Sequence, residues 1–175
     1  MIDKLTEFEW FNNLNDTVKF NENEFRALRK TEFPTDFFRG KEGRNIIGVK
    51  WKSDGKDIIL DDVVGKSSLP TPNMDRVVVT RCIQKDDNFV YTTVIYNADG
   101  SPYLEVEMTE RTNFHYGNSI PDSPSFIADI GWAKDAQDNY SMIVELNGTC
   151  DPCWEYMKFD PITGTFGESI GHGSF

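Results

Sequence analysis

Residues 89–111 read FVYTTVIYNADGSPYLEVEMTER, and this stretch decides the fold class. β-Branched and aromatic residues fill both halves, which is typical of strands, and the Asn-Ala-Asp-Gly segment between them is typical of a tight turn. Gly100 suits the left-handed conformation that closes such a turn with a bulge. The stretch therefore predicts an antiparallel hairpin.

The turn also predicts which side chains of this hairpin share a face. With Asn97 opposite Ser101, Val94 faces Leu104, and the two strands carry one apolar row and one mixed row. The row expected to be buried contains Val90, Val94, Leu104, Val106 and Met108. The mixed row contains Tyr91, Thr93, Glu105 and Glu107. It forms either plain solvent surface or one wall of a site.

The remaining β patterns extend the hairpin into an antiparallel meander of about eight to ten strands. The predicted strands are 46–51, 58–64, 76–83, 89–96, a return strand from residue 102, 126–134, 140–147, 153–159 and 165–170. Closure of a meander removes exposed edges, so we expect an up-and-down barrel or a strongly curved sheet. This arrangement is similar to that of the calycins, the lipocalin-like barrels.

One or two helices are expected before the sheet. Residues 2–14 form the first candidate helix, with Asp3 as its N-cap and with apolar residues on one face at Ile2, Leu5, Phe8, Phe11 and Leu14, and residues 22–31 form a second candidate helix. At 175 residues, the chain is predicted to form a single domain over 1–175. Within it, residues 2–31 form a helical segment and residues 45–170 the β region.

The later hairpin, residues 126–147, places two carboxylates opposite each other. Pairing of Lys134 with Tyr140 puts Asp129 opposite Glu145 on one face. The apolar face then pairs Trp132 with Met142, Ile130 with Val144, and Ala128 with Leu146. Like charges placed this way need a cation, a basic neighbour, water, or one raised pKa. The pair is either a solvated outer-face pair or an acid/base or cation site.

Arg81 is the second unusual charge, because the strand around it is apolar on both faces. If the turn near residues 85–88 has an even length, Arg81 shares an apolar face and becomes a candidate anchor for an anionic group. An odd turn puts Arg81 outside, where it can pair with Glu105 or Glu107.

Cys150-Asp151-Pro152-Cys153 is a recognisable short motif. It resembles the Cys-x-Pro-Cys of thioredoxin-like oxidoreductases, whose cysteines follow a strand at a helix N-terminus. Here the motif lies between two β patterns, which favours a tight turn. Cys150 and Cys153 are then close enough to form a disulfide if oxidised.

Composition excludes several classes of function. The net charge of −11 disfavours binding to nucleic acid or acidic membranes. The sequence contains no nucleotide-binding or nucleophile-elbow motif, and we expect no cofactor. It also has neither an apolar run approaching the ~20 residues of a membrane span nor a signal-peptide pattern. Together with the odd number of cysteines, this predicts a cytoplasmic protein.

Three functions remain as hypotheses. The first is non-enzymatic binding of a small, mostly apolar molecule in a barrel cavity. Its candidate ligand-binding residues are Arg81, Tyr91, Glu105, Glu107 and Trp132. The second is an acidic interaction or inhibitor protein that docks a basic protein partner. The third is a small cofactor-free enzyme, an isomerase or lyase, whose acid/base groups come from Asp129, Glu145 and His115.

Overall fold

The computed structural model describes residues 4–14, 16–21, 46–63, 68–85, 88–108, 125–135, 137, 139–148 and 153–174. These residues form strands joined by turns and short irregular segments. The strands are β1 (Thr6–Asn12), β2 (Thr17–Lys19), β3 (Ile46–Ser53), β4 (Lys56–Asp61), β5 (Ser68–Pro70), β6 (Arg76–Lys85), β7 (Asn88–Asn97), β8 (Pro102–Glu105), β9 (Ser125–Lys134), β10 (Tyr140–Gly148), β11 (Cys153–Asp160) and β12 (Thr165–Ser174). The prediction of a mainly β, antiparallel protein is confirmed.

The described strands form three four-stranded sheets instead of one barrel. Sheet 1 has the order β2-β1-β3-β4, sheet 2 the order β5-β6-β7-β8, and sheet 3 the order β12-β11-β10-β9. A barrel requires continuous pairing around a closed ring of strands. In the described chain that pairing stops between β4 and β5 and again between β8 and β9. The prediction of a calycin-like barrel or a single curved sheet is therefore wrong.

The helix predicted for residues 2–14 is also wrong, because β1 occupies Thr6–Asn12. Phe8 and Trp10 enter the core at 1% and 2% exposure, whereas Leu14, which the helical stripe would bury, is 58% exposed. The side chains that enter the core therefore follow the strand period of two residues instead of the helical period of 3.6 residues. The second predicted helix, residues 22–31, lies outside the described residues. In the part of the chain that the structure describes, no helix is long and apolar enough to cross a membrane.

The turn of the first hairpin is confirmed, but its register is not. Asn97 N donates to Ser101 O at 2.9 Å, and Gly100 has a φ of +82°. Val94 nevertheless pairs with Glu105 instead of Leu104, because the return strand carries an extra residue between Pro102 and Leu104. A turn fixes strand register only when no bulge follows it.

The faces of β7 are likewise reversed from the prediction. Thr93 and Ile95 are 2% and 0% exposed, whereas Val90, expected in the core, is 42% exposed. Thr93 tolerates burial because its hydroxyl lies 2.7 Å from that of Thr80 on β6, so that each group has a partner. Val106 is buried as predicted, at 6% exposure.

The register of the later hairpin is confirmed for most of its length. The confirmed pairs are Lys134–Tyr140, Trp132–Met142, Ile130–Val144 and Asp129–Glu145. The predicted pairing of Ala128 with Leu146 is wrong, because Leu146 pairs with Ile127. Ala128 is therefore the extra residue of a β-bulge in β9.

Three tryptophans connect the sheets through their indole N–H groups. On sheet 1, Trp10 Nε1 donates to Ser68 O at 2.9 Å, and on sheet 3, Trp132 Nε1 donates to Pro70 O at 3.0 Å. Both acceptors belong to β5, the short terminal strand of sheet 2, all three residues of which are buried. Residues two apart turn their carbonyls to the same side of a strand, so the two indoles cover the side of β5 that faces away from β6.

Trp51 makes the third such contact, from sheet 1 to the β7–β8 turn of sheet 2. Its Nε1 donates to Ala98 O at 2.6 Å, and both residues are buried. The buried apolar residues of all three sheets form one cluster, so the sheets share a core.

We expect Trp51→Phe to destabilise the protein by about 1–3 kcal/mol, because the buried Ala98 carbonyl loses its donor. Chemical denaturation followed by circular dichroism measures the change. Trp154→Phe is the matched control, since Trp154 is only half-buried and pairs with the ring of Tyr156. Equal losses in the two variants would contradict the role assigned to the indole–carbonyl bond.

Sheet 1 carries a nearly buried carboxylate on its outer face. Glu9 is 7% exposed, and its oxygens lie 3.0 Å from Lys50 Nζ and 3.5 Å from Lys19 Nζ. The two lysines come from the neighbouring strands, directly opposite Glu9. Burial raises the pKa of Glu9, but the hydrogen bonds and charges of Lys50 and Lys19 outweigh it, so the pKa is lowered overall.

The lowered pKa of Glu9 makes its contribution to stability depend on pH. The contribution is present above the ordinary glutamate pKa and is lost as the pH falls through the lower folded-state value. We expect Glu9→Gln to cost about 1–3 kcal/mol at neutral pH and little in acid. Denaturation curves across the acidic range test this, with Glu7→Gln, at the exposed ion pair with Lys52, as the control. A pH-independent cost would contradict it.

Candidate functional site

The predicted carboxylate pair lies on the outer face of sheet 3, inside a regular array of side chains. Glu145 on the central strand β10 is opposite both Asp129 on β9 and Tyr156 on β11. The neighbouring row places Asn147 opposite both Phe126 and Trp154. We call these six residues the acidic face: Phe126, Asp129, Glu145, Asn147, Trp154 and Tyr156. Each of the six is half-buried.

Neighbouring side chains orient the carboxylate of Glu145. The Tyr156 hydroxyl hydrogen-bonds to it from one side. With the Asn147 amide oriented to satisfy its neighbours, the amide nitrogen donates to Glu145 Oε1 at 3.2 Å. A carboxylate held by two neutral donors has a fixed direction. The arrangement therefore presents an oriented anion beside aromatic rings.

The two carboxylates raise the pKa of Tyr156. Burial is the largest cause, followed by the hydrogen bond to Glu145, the charge of Glu145 and the charge of Asp129. Each cause disfavours the phenolate, which would add a third negative charge to the row. Tyr156 therefore remains a neutral donor well above the ordinary tyrosine range.

The bulge at Ala128 determines which aromatic residue joins this face. Phe126 and Asp129 are three residues apart and would lie on opposite faces of a regular strand. The extra residue restores Phe126 to the face of Asp129. Phe126 then stacks on Tyr91 of β7, with ring centroids 3.9 Å apart and planes 11° apart. The acidic face is thereby attached to sheet 2.

Glu145→Gln should lower the pKa of Tyr156, because it removes the nearest negative charge. The measurement is an alkaline titration of tyrosinate absorbance, in which Tyr156→Phe identifies the component that ionises last. Glu168→Gln is the control, since Glu168 pairs with Lys158 instead. An unchanged titration in Glu145→Gln would contradict the contact.

Arg81 lies on an apolar face, as the even-turn alternative required. Lys85 pairs with Asn88, so two residues connect β6 to β7, and Arg81 is opposite Thr92. Its guanidinium carbon lies 6.0 Å from the Tyr96 ring centroid, and its Nε is buried without a hydrogen-bond partner. The alternative of an odd turn, which would put Arg81 outside, is therefore wrong. Its role as an anion anchor stays a prediction.

Two other predicted ligand-binding residues contribute to packing between sheets. Trp132 is 6% exposed, and its ring centroid lies 5.4 Å from that of Phe20. Tyr91 is half-buried against Phe126, and its pKa is raised by burial and by the hydrogen bond to Cys82. Neither residue lies on the acidic face.

Glu105 and Glu107 line a different surface, at the end of sheet 2. They are exposed. Together with Leu104 and Met108 they line a groove of about 470 Å³, whose other side is formed by residues 163–166, at the β11–β12 turn and the start of β12. This surface is called the β8 groove below. The predicted site residues thus fall in separate places: Asp129 and Glu145 on the acidic face, Glu105 and Glu107 in the β8 groove.

Of the three remaining predicted residues, one lies in the described part of the chain. His115 and Cys150 lie outside the described residues, and Cys153 begins β11. The possible disulfide and the acid/base role of His115 therefore stay predictions.

The aromatic residues of the acidic face were not predicted from the sequence. Trp154 and Tyr156 alternate along β11, and antiparallel pairing of residues 140–147 with 153–159 would have placed them beside Glu145. Phe126 could not be found in this way, because its position depends on the bulge.

Comparison with known proteins identifies the fold but no family. No known protein family matches the sequence, and no curated protein matches it either. The fold is similar to that of a chain in a solved structure described as "Structure of Tne2 in complex with Tni2", with a TM-score of 0.66 and 9% sequence identity. The match covers 94% of this chain and 97% of that chain. At this identity the likeness concerns the fold alone.

Proposed function

We propose that this protein is a non-enzymatic interaction protein, which docks a basic segment of a partner protein on the acidic face. The observation that carries the proposal is the pair of opposed carboxylates of Asp129 and Glu145, with Glu145 held by Tyr156 and Asn147. An arginine of the partner would bind such carboxylates through its planar group of donors.

The aromatic residues of the acidic face support the same function. Tyr, Trp and Phe are enriched in protein interfaces, where they provide large contact areas at low entropic cost. Trp154, Tyr156 and Phe126 are half-buried and lie in the same row as the carboxylates or in the neighbouring row. A guanidinium that reaches Glu145 would also lie against an aromatic ring, which adds a cation–π attraction.

Two further observations favour a protein partner. The net charge of −11 would accelerate association with a basic protein. The chain with a similar fold comes from a structure of two proteins in complex.

The other two hypotheses stay predictions. Among the described residues, Ile127, Val144 and Leu146 of the core are 0% exposed, and three grooves lined by described residues are open to solvent. Binding of a small apolar molecule has less support from these surfaces than docking of a protein. An acid/base enzyme would require His115 to approach Asp129 and Glu145. The cytoplasmic location also stays a prediction.

The test is binding of a fluorescently labelled oligo-arginine peptide, followed by anisotropy. We expect Asp129→Asn/Glu145→Gln to weaken binding about tenfold, because two opposed carboxylates are lost from the contact. Added salt should weaken the wild-type interaction as well.

Asp57→Asn/Asp61→Asn is the matched control, since it removes the same charge from exposed positions on β4. Binding by this variant should remain close to that of the wild type. Equal weakening of both double variants would mean that the peptide responds only to net charge, and would overturn the proposal.

A further inference from the structure

We propose that the β8 groove is a second docking site, which takes an extended basic segment of a protein as an added β-strand. This site is independent of the acidic face and does not rest on the function proposed for it. The groove combines an apolar floor, two carboxylates and the terminal strand of a sheet, and each of these features limits the occupant.

The floor of the groove is apolar and well supported. Sheet 2 and the residues that follow β8 contribute Leu104 and Met108 to this floor, and β12 contributes Phe166. All three side chains are half-buried. The turn lies so close that a Cβ on Gly164 would come within 2.7 Å of Leu104 Cδ2. Gly164 also has a φ of +70°, so glycine is needed here for both the conformation and the space. The close packing of the β11–β12 turn against Leu104 therefore fixes the distance between the two sides of the groove.

The two carboxylates of the groove come from Glu105, the last residue of β8, and from Glu107, which follows β8. Glu105 and Glu107 are exposed and alternate with the inward-facing Leu104, Val106 and Met108. Alternate residues of a strand lie about 6–7 Å apart on the same face. In the described chain neither glutamate has a lysine or arginine within ion-pair distance. Lysines or arginines at alternate positions of a partner strand would face both carboxylates at once.

The backbone of β8 can accept such a strand. β8 is the terminal strand of sheet 2 and pairs with β7 on one side, and no described strand pairs with its other side. Added strands bind through main-chain hydrogen bonds and gain specificity from alternate side chains. Pro102 removes one donor at the start of β8, which leaves the segment from Tyr103 to Glu105 for pairing.

The charges identify the occupant as a basic segment and argue against a second copy of this chain. Two copies of β8 paired edge to edge would bring the glutamates of both strands together, and like charges opposite each other on neighbouring strands are destabilising. In a strand in which Lys or Arg alternates with apolar residues, the basic side chains would pair with the carboxylates on one face. The apolar side chains would pack on the floor of the groove on the other face.

The experiment compares two synthetic peptides of identical composition on the full-length protein. In one peptide lysine alternates with valine, and in the other the lysines are consecutive. We expect the alternating peptide to bind more tightly, and Glu105→Gln/Glu107→Gln to weaken its binding about three- to tenfold. Hydrogen exchange with the alternating peptide bound should slow at the backbone of 103–105.

Two controls separate strand addition from attraction by net charge. N-methylation of the alternating peptide should abolish the slowed exchange at 103–105, because it removes the main-chain donors. Asp57→Asn/Asp61→Asn removes the same charge elsewhere and should leave binding unchanged. Equal affinity for the two peptides, or slowed exchange only outside 103–105, would overturn the proposal. If the alternating peptide does not bind the β8 groove while the oligo-arginine peptide still binds the acidic face, the proposal for the β8 groove is overturned and the proposed function is not.

Discussion

Three indole–carbonyl hydrogen bonds join the sheets, and the rest of the structure depends on them. β5 is a three-residue terminal strand that is buried, so its outward carbonyls need donors from elsewhere in the protein. Trp10 supplies one donor from sheet 1 and Trp132 supplies another from sheet 3. Pro70 fits this arrangement because it lacks an N–H at a position that turns away from β6. Two sheets that share no strand pairing are thus attached to the same short strand, and Trp51 adds a further attachment at the β7–β8 turn.

The sequence predicted the hairpins well and their assembly poorly. Period-two patterns located most of the strands, and turn residues located the turn at Gly100, which has a φ of +82° in the structure. Such signals are local and act within a few residues. The division into three sheets depends instead on where pairing stops, and no local pattern marks β4 or β8 as a terminal strand. β1 shows the same limit: its apolar residues fit both periods, and the contacts of Phe8 and Trp10 with the core decide between them.

The acidic face could be predicted in part for the same physical reason. Asp129 and Glu145 were placed opposite each other because the pairing near the turn is regular, and the structure has that pair. The positions of the three aromatic residues of this face depend on the register of β11 and on the bulge in β9. Glu105 and Glu107 were expected on the same row as Tyr91, but the extra residue in the return strand and the packing of β7 separate them. Errors of one residue in register accumulate along a strand, so positions close to a turn are the most predictable.

Because of the bulge at Ala128, the composition of the acidic face depends on the number of residues in β9 as much as on their identity. A substitution on the acidic face changes one side chain and leaves its five neighbours in place. Deletion of a single residue at the bulge would instead transfer Phe126 to the opposite face and separate its ring from Tyr91. Over evolutionary time, this surface can therefore diversify residue by residue through point mutation. In-frame insertions and deletions in β9, by contrast, would exchange a whole row at once and should be rare among descendants that keep the same acidic face.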